Sequence, residues 1–577
     1  MESYRNSAEA ETRGKELKKP IVARLMPFAI GVILISMSMV LFIKGRSSKG
    51  TCSYDHVYRK VICKVKHLDA IPDDIPTGAL VLVFGNKLDK AENSFGILEP
   101  SNFSQLRQVQ DLQLVRCGIH EIRSDTFAQL SSLRRLDLRY NRIESVSELT
   151  FRGLKNLEYL YLSNNPITHL ADFTFRGIRI ENLILANNPA LSQISSKAFA
   201  GAIIKNLALN RCSLSNLATE TLWHVGDSLE ELHLTNNIQS LTLPDAAFKG
   251  LTLRVLNLDG NGLTDADFLE DVIAEEISLD DNPLGEVDFD DSDKFLKIKR
   301  LSLGNIKLTE LSREDFSMLS NLEELDLEQN QLISLNASIF AKLTNLKILD
   351  VSGNDIKTIE GDFDVHLPAL RSLFLDDNDL ETLPAGLEPF FSRLEMLTLH
   401  NNPLHCNCEL QWLADWLTNH SSILHDRHAL RCVTPEPVNF TEDPDNQFQC
   451  RKPVILNATL DPDGISLVCT AEGDPPPNVS WLGSDESLAA STRPSTYDRR
   501  NLQTKCTIAI TKENNYTCTA NNIVGNDSAI IDTTKIPTSG LKFVYQSREI
   551  EILETPQGFF VTALLLVVLG YIFRNSR

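Results

Sequence analysis

The sequence predicts a mixed α/β repeat solenoid with disulfide caps, followed by an all-β sandwich, with membrane segments at both ends. Three observations predict it: a leucine motif recurring about every 24 residues, cysteines grouped at the edges of that repeat and again beyond it, and two long apolar runs near the chain ends.

The repeat is Leu-X-Leu-X-X-(Asn/Cys)-X-Leu. Its Asn/Cys position falls at Asn86, Cys117, Asn141, Asn165, Asn188, Cys212, Asn237, Asn261, Asn282, Ile306, Asn330, Asn354, Asn378 and Asn402, which makes fourteen units. Most steps are 23 to 25 residues; steps of 31 after the first unit and 21 before Asn282 predict a bulge at each of those junctions. In the unit Leu325-Asp326-Leu327-Glu328-Gln329-Asn330-Gln331-Leu332, alternation turns Leu325 and Leu327 inward and leaves Asp326 and Glu328 to solvent on a short strand. One such coil cannot bury its leucines alone, so neighbours must stack. Phe127, Phe151, Phe175, Phe199, Phe248, Phe316 and Phe340 follow their markers by ten or eleven residues and are expected to stack as core on the side away from the strands.

On these motifs, residues 52 to 450 resemble the leucine-rich repeat family, in its 24-residue animal extracellular form. The resemblance implies a horseshoe whose marker asparagines bond backbone groups in the turns, as buried polar groups must. Cys117 and Cys212 hold that position as buried structural thiols, with reactive or bridging cysteine as the alternative, and Ile306 requires its turn to pair differently. Cys52 and Cys63 resemble the family's amino-terminal cap, in a two-cysteine form with one disulfide between them. Asn402-Pro403-Leu404-His405-Cys406-Asn407-Cys408-Glu409-Leu410-Gln411-Trp412-Leu413, with Cys432 and Cys450, is similar to the carboxy-terminal cap, whose pattern pairs Cys406 with Cys432 and Cys408 with Cys450. Zinc at His405 and the Cys-X-Cys is the competing reading, weakened by Cys432 and Cys450 standing singly.

From Pro453 to about Pro537 the pattern changes to short alternating strands separated by Gly, Pro and Asn. Cys469, Trp481 twelve residues on, and Tyr516-Thr517-Cys518 resemble the immunoglobulin arrangement of an inter-sheet disulfide, a packed tryptophan and a tyrosine corner. Cys506 is left over, as a free thiol on a strand or as half of an intermolecular disulfide.

Leu25 to Ile43 is an uncharged run of 19 residues preceded by Lys18, Lys19 and Arg24, expected to act as an uncleaved signal anchor or a cleaved signal peptide. Gly558 to Phe573 is a second apolar run closed by Arg574 and Arg577, expected to span, with a lipid-anchor signal as the alternative. The expected organisation is therefore 1–24 cytoplasmic or signal n-region, 25–43 anchor or signal, 52–78 cap, 79–404 repeats, 405–450 cap, 453–537 immunoglobulin-like domain, 538–557 linker, 558–573 membrane segment and 574–577 tail. Eight Asn-X-Ser/Thr acceptors, at Asn102, Asn336, Asn419, Asn439, Asn457, Asn478, Asn515 and Asn526, all lie between the two apolar runs. Together with the cysteines they point to the oxidising secretory route and a plasma-membrane protein with an extracellular middle.

A 577-residue chain that is 42% hydrophobic and 23% charged has the makeup of an ordered protein, and its net charge of −21 argues against nucleic acid as a partner. The sequence holds no Gly-X-Ser-X-Gly elbow, phosphate-binding loop or paired-histidine zinc motif, so no enzyme and no cofactor are expected. Carboxylates at Asp288, Asp290, Asp291 and Asp293 lack an EF-hand's spacing and read as an acidic loop rather than a calcium site.

The expected binding surface is the concave sheet, where strand positions hold Arg135, Asp137, Arg139, Tyr159 and Tyr161 early on. Further along come Asp259, Glu276, Asp280, Glu324, Asp326, Glu328, Asp350 and Asp376. Tyr and Arg suit interface anchors, and the acidic stretch would steer a basic partner region. Ligand contact is therefore expected at Arg135, Arg139, Tyr159, Tyr161, Asp326 and Asp350, with an extracellular or cell-surface protein as partner and homophilic or lateral pairing of two copies left open. The combination resembles animal adhesion and receptor families with repeats, one immunoglobulin unit and a membrane anchor. An innate-immune sensor of microbial molecules and a shed matrix component remain as alternatives.

Overall fold

The computed structural model describes residues 52–63, 68–85, 93–237, 241–289, 293–424, 429–434, 438–440, 448–461, 466–483, 493–498, 502–509, 515–533, 542–545 and 548–551. Both expected membrane segments and the marker Asn86 lie outside these residues, and among the described residues no helix is long and apolar enough to cross a membrane. Contacts divide the chain into two units: Met1–Asp379 with Pro389–His400 and Ile423–His425, and Leu380–Glu388 with Asn401–Ser422 and Asp426–Arg577.

In the first unit, sixteen strands among the described residues form one sheet in sequence order, from Ser53–Asp55 to Met396–Thr398. The first pair, Ser53–Asp55 with Lys60–Cys63, is antiparallel; every later pair is parallel. Parallel pairing follows from the repeat, because each coil returns to the same side before the next strand begins. Leu136, Leu160, Leu183, Leu207, Leu232, Leu325 and Leu349 are completely buried, as alternation requires.

At the two irregular steps, where a bulge at the junction was expected, the strand register itself is unbroken. Leu253–Asn257 pairs with Ala274–Ser278 in unbroken register across the 21-residue step, and Val81–Phe84 pairs with Asp111–Leu114 just as evenly across the 31-residue step. Strand register is fixed by the buried leucines on both sides, so length differences fall in the connections, where backbone can adjust. The coil of the short step carries a 3-10 turn at Asp267–Asp271.

Opposite the strands, Phe151, Phe175 and Phe199 stack at centroid distances of 5.8 and 5.7 Å, and Phe316 stacks on Phe340 at 5.9 Å. Leu222, fully buried, occupies the place between Phe199 and Phe248.

The marker asparagines tie coil to coil. Asn330 donates from Nδ2 to the carbonyls of Leu303 (2.8 Å) and Leu327 (3.0 Å), and its Oδ1 accepts from the N–H groups of Ile306 and Leu308, both at 3.0 Å. Ile306 makes no side-chain bonds of this kind; its neighbours' asparagines serve the carbonyls instead, and its own C=O accepts from Gly285 N at 2.8 Å. Cys117 and Cys212 point their sulfurs at carbonyls, and burial pushes their thiols up to about 12 and about 11, so neither is a reactive thiolate.

In the second unit, disulfides join Cys406 to Cys432 and Cys408 to Cys450 around the helix Gln411–Asn419, while Cys52 pairs with Cys63 in the first. With both sulfurs of the Cys-X-Cys bonded, the zinc reading fails. His405 instead places Nε2 2.7 Å from Asp474 Oδ1, which also accepts from Asn407 Nδ2 at 2.8 Å.

The sandwich stacks Arg451–Leu460, Ser466–Asp474, Gln503–Ala509 and Arg493–Asp498 in one sheet, and Asn478–Leu482, Asn515–Asn522 and Gly525–Asp532 in the other. Cys469–Cys518 links the sheets beside buried Trp481 and Tyr516. Two further strands, Lys542–Tyr545 and Arg548–Glu551, extend the second sheet into the stretch expected to be a linker. Cys506 is buried directly opposite Cys469, which removes it from reach of another chain.

Candidate protein-binding face

Parallel, in-register pairing sets equivalent residues of successive coils side by side, about 4.8 Å apart. What a row of the sheet face can do therefore depends on which side chains it repeats.

In the early coils Arg135 lies beside Tyr159, and Asp137 beside Tyr161. Asp137 was expected to face solvent, but it is only 1% exposed, because two arginines cover it. Arg139 grips it with both forks, Nε to Oδ1 at 2.8 Å and Nη2 to Oδ2 at 2.6 Å, and Arg135 Nη2 stands 3.5 Å from Oδ2. Both guanidiniums lie against the Tyr161 ring, at 4.7 and 5.0 Å from its centroid. The bond to Asp137 raises Arg139 further above the usual guanidinium value, so this side chain stays charged. Asp111 approaches Arg135 Nε only to 3.7 Å, too long for a hydrogen bond, and burial raises its carboxyl above the usual range. Tyr159 presents its ring, with its hydroxyl 3.4 Å from Glu181.

The middle coils carry a feature that counting acids in the sequence misses. Glu231, Arg254, Glu276, Arg300 and Glu324 alternate in sign across five consecutive strands, with Arg254 paired to Glu231, Arg300 paired to Glu276, and Arg300 Nε 3.1 Å from Glu324. Glu276, expected among the acidic side chains open to a partner, is buried inside this ladder. Reading the residue six before each marker (Glu231, Glu276, Arg300, Glu324) exposes most of the alternation.

The inner row behaves otherwise. Asp326 is paired in register with Asp350, with Glu328 beside them, and no Lys or Arg shares that row. Burial first, and then the neighbouring Asp350 charge, raises Asp326 far above the ordinary aspartate value; burial raises Asp350 too. Asp280 is also raised by burial and by Asp259, although Ser302 donates to both its oxygens at 2.7 and 2.9 Å. Burial and mutual repulsion thus let these carboxyls hold their protons to a higher pH than an exposed aspartate does. Asp326, Glu328 and Asp350 could geometrically surround a cation, as could Asp376, Asp377 and His400. Asp376 is already bonded by Thr398 Oγ1 at 2.5 Å, and for the first trio proton uptake relieves the repulsion equally well. Of the carboxylates expected to form an acidic loop, Asp290 and Asp291 lie outside the described residues.

The face thus joins the six expected contact residues into two separate groups: Arg135, Arg139, Tyr159 and Tyr161 form one cluster, and Asp326 and Asp350 another, eight coils later along the chain.

Comparison with known families agrees with this architecture. A leucine rich repeat model matches residues 107–167 and 320–380, a BspA type leucine rich repeat region of six copies matches 144–265, and an immunoglobulin I-set domain matches 458–534. Among curated proteins, the chain is similar to leucine-rich repeat and fibronectin type III domain-containing protein 1 of Rattus norvegicus, 30% identical over 146 residues, which is 24% of this chain and 18% of that protein. It is also similar to leucine-rich repeat and fibronectin type-III domain-containing proteins 5 and 4 of Homo sapiens, each 31% identical over 140 residues, 23% of this chain and 18% and 21% of theirs. The matched stretch spans about a fifth of the length of these relatives. The chain carries leucine-rich repeats and an I-set immunoglobulin domain, two kinds of module that serve as binding surfaces.

Proposed function

We propose that this is a membrane-anchored cell-surface protein that captures an extracellular protein ligand on the sheet face of its solenoid, in adhesion or as a co-receptor or decoy, without catalysis. The Arg135–Arg139–Tyr161 cluster carries the reading. Two guanidiniums are held in place by a buried carboxylate and packed on an aromatic ring, so little side-chain freedom remains to be lost on binding. Tyr159 adds a half-exposed ring beside them, and Arg and Tyr are the residues over-represented where interfaces concentrate their energy. The sign-alternating ladder, which begins three strands further along the same sheet, fits a partner with its own alternating charge better than a uniformly basic one.

The anchor rests on the apolar runs 25–43 and 558–573. The test is a screen of cell-displayed full chain against arrayed cell-surface proteins and microbial glycans, with Tyr159→Ala/Tyr161→Ala beside the parent. Capture of a host protein by the parent and its loss in the variant is the expected result. Binding only to lipopolysaccharide or peptidoglycan would replace the reading with a microbial sensor, and release of the whole chain to the medium would replace it with a matrix component.

A further inference from the structure

We propose that the immunoglobulin domain carries N-linked oligosaccharide on both of its faces while the solenoid's sheet face stays bare, which confines protein contact to the solenoid. This rests on the secretory reading above and goes beyond it by assigning sugar to one module and ligand to the other.

Four acceptors lie on sandwich strands: Asn457 on Arg451–Leu460, Asn478 on Asn478–Leu482, Asn515 on Asn515–Asn522 and Asn526 on Gly525–Asp532. On a strand, residues i and i+2 share a face, so the acceptor and its hydroxyl residue turn out together when the residue between them turns in. Ala458, Val479 and Tyr516, the middle residues of three triplets, are buried in the domain core, and all four asparagines are exposed. In the fourth triplet Asp527 turns back to accept from Ile455 N at 2.8 Å.

The register then places the acceptors on the two faces. Asn478 pairs with Asn521, and Asn521 with Asn526, so two acceptors flank one strand at one end of a sheet, roughly 10 Å apart. Asn515, opposite Asp532, stands at the other end of the same face. Between them lie Leu482 and Ile530, joined through Thr517. Asn457 belongs to the opposite sheet, next to Val454 and Leu456, which are 54% and 46% exposed. A bulky, hydrated oligosaccharide at each acceptor covers these apolar side chains, which would otherwise sit bare on the domain surface.

The solenoid shows the reverse. None of the eight acceptors falls on a strand of the sixteen-stranded sheet. Asn102 lies in the 3-10 turn Pro100–Phe103 and Asn336 at the entry to Ala337–Phe340, both half-buried with Oδ1 accepting a backbone N–H, at 2.8 and 3.0 Å.

In the transfer, the Asn Nδ2 attacks the anomeric carbon of an oligosaccharide carried on a polyprenyl diphosphate. The N–C bond forms as the C–O bond to diphosphate breaks, the amide gives up one proton, and polyprenyl diphosphate leaves.

The experiment uses full chain from a secretory host. Enzymatic sugar release in heavy-oxygen water marks each occupied asparagine for mass spectrometry, and hydroxyl-radical footprinting before and after release reports cover. Occupancy at Asn457, Asn478, Asn515 and Asn526 is expected, with severalfold more oxidation of Leu482, Ile530, Val454 and Leu456 after release and no change at Tyr159 or Tyr161. Bare sandwich acceptors with Asn102 or Asn336 occupied, or unchanged oxidation at the four apolar residues, would overturn the inference alone. All eight asparagines bare would overturn the secretory reading with it.

Discussion

The Arg135–Tyr161 cluster and the Asp326–Asp350 row occupy equivalent strand positions of the same sheet, yet one is balanced and the other opposes itself. In the first, parallel stacking brings Arg, Asp and Tyr of neighbouring coils into mutual contact. In the second, the same stacking sets carboxylate against carboxylate with no cation in the row. The scaffold is indifferent to what it repeats, so a row's chemistry is decided by whether successive coils alternate in character. Alternation gives a rigid, charged surface suited to recognition; repetition of one charge gives a surface that takes up protons.

Asp137→Ala should break the balance most severely. It leaves two arginines over an empty buried position, and a loss of about 3 kcal/mol is expected from removing one partner of a buried ion pair, lowered from the upper range because the arginines reach solvent. Chemical denaturation with the parent as reference checks it; a loss below about 0.5 kcal/mol would mean the carboxylate is not the organising group.

Asp326→Asn should act with the opposite sign. Because the folded chain holds the Asp326 proton more tightly than the unfolded chain does, stability falls as pH rises from the ordinary aspartate value toward the raised one. Replacing the carboxyl by an amide removes that loss, so a gain of about 1 kcal/mol at neutral pH, vanishing near pH 4, is expected in thermal melts. For the parent, the same linkage predicts that this region's contribution grows on mild acidification. Tyr159→Phe is the smallest change: the hydroxyl's contact with Glu181 is exposed, so stability should shift by less than about 0.5 kcal/mol while any ligand bond to that hydroxyl is lost.

Much of this fold was legible because its signal is periodic. Leu136, Leu325 and their counterparts announce the strands, the marker asparagines announce the turns, and Cys469, Trp481 and Cys518 announce the sandwich through their resemblance to the immunoglobulin arrangement. What escaped was anything set by contacts among the outward-facing side chains, within a coil or between neighbouring coils. Asp137 reads as a solvent position by alternation and becomes buried only because Arg135 and Arg139 close over it. The ladder through Arg254 and Arg300 joins residues that are 22 to 24 apart in sequence; reading equivalent positions down a column shows most of it, but Arg254 stands one residue off the column, where Val255 is. The even register across the 21-residue step escaped for a related reason: the buried leucines fix the strands, and the deficit falls in the connection, which carries the turn at Asp267–Asp271.

The central claim, that ligand is captured on the sheet face, is tested most directly by placing sugar there. Tyr159→Asn with Tyr161→Thr creates an acceptor triplet on an otherwise acceptor-free strand. With that site occupied and the chain still displayed on cells, capture of the protein ligand found by the array should disappear; undiminished capture by the occupied variant would contradict the account.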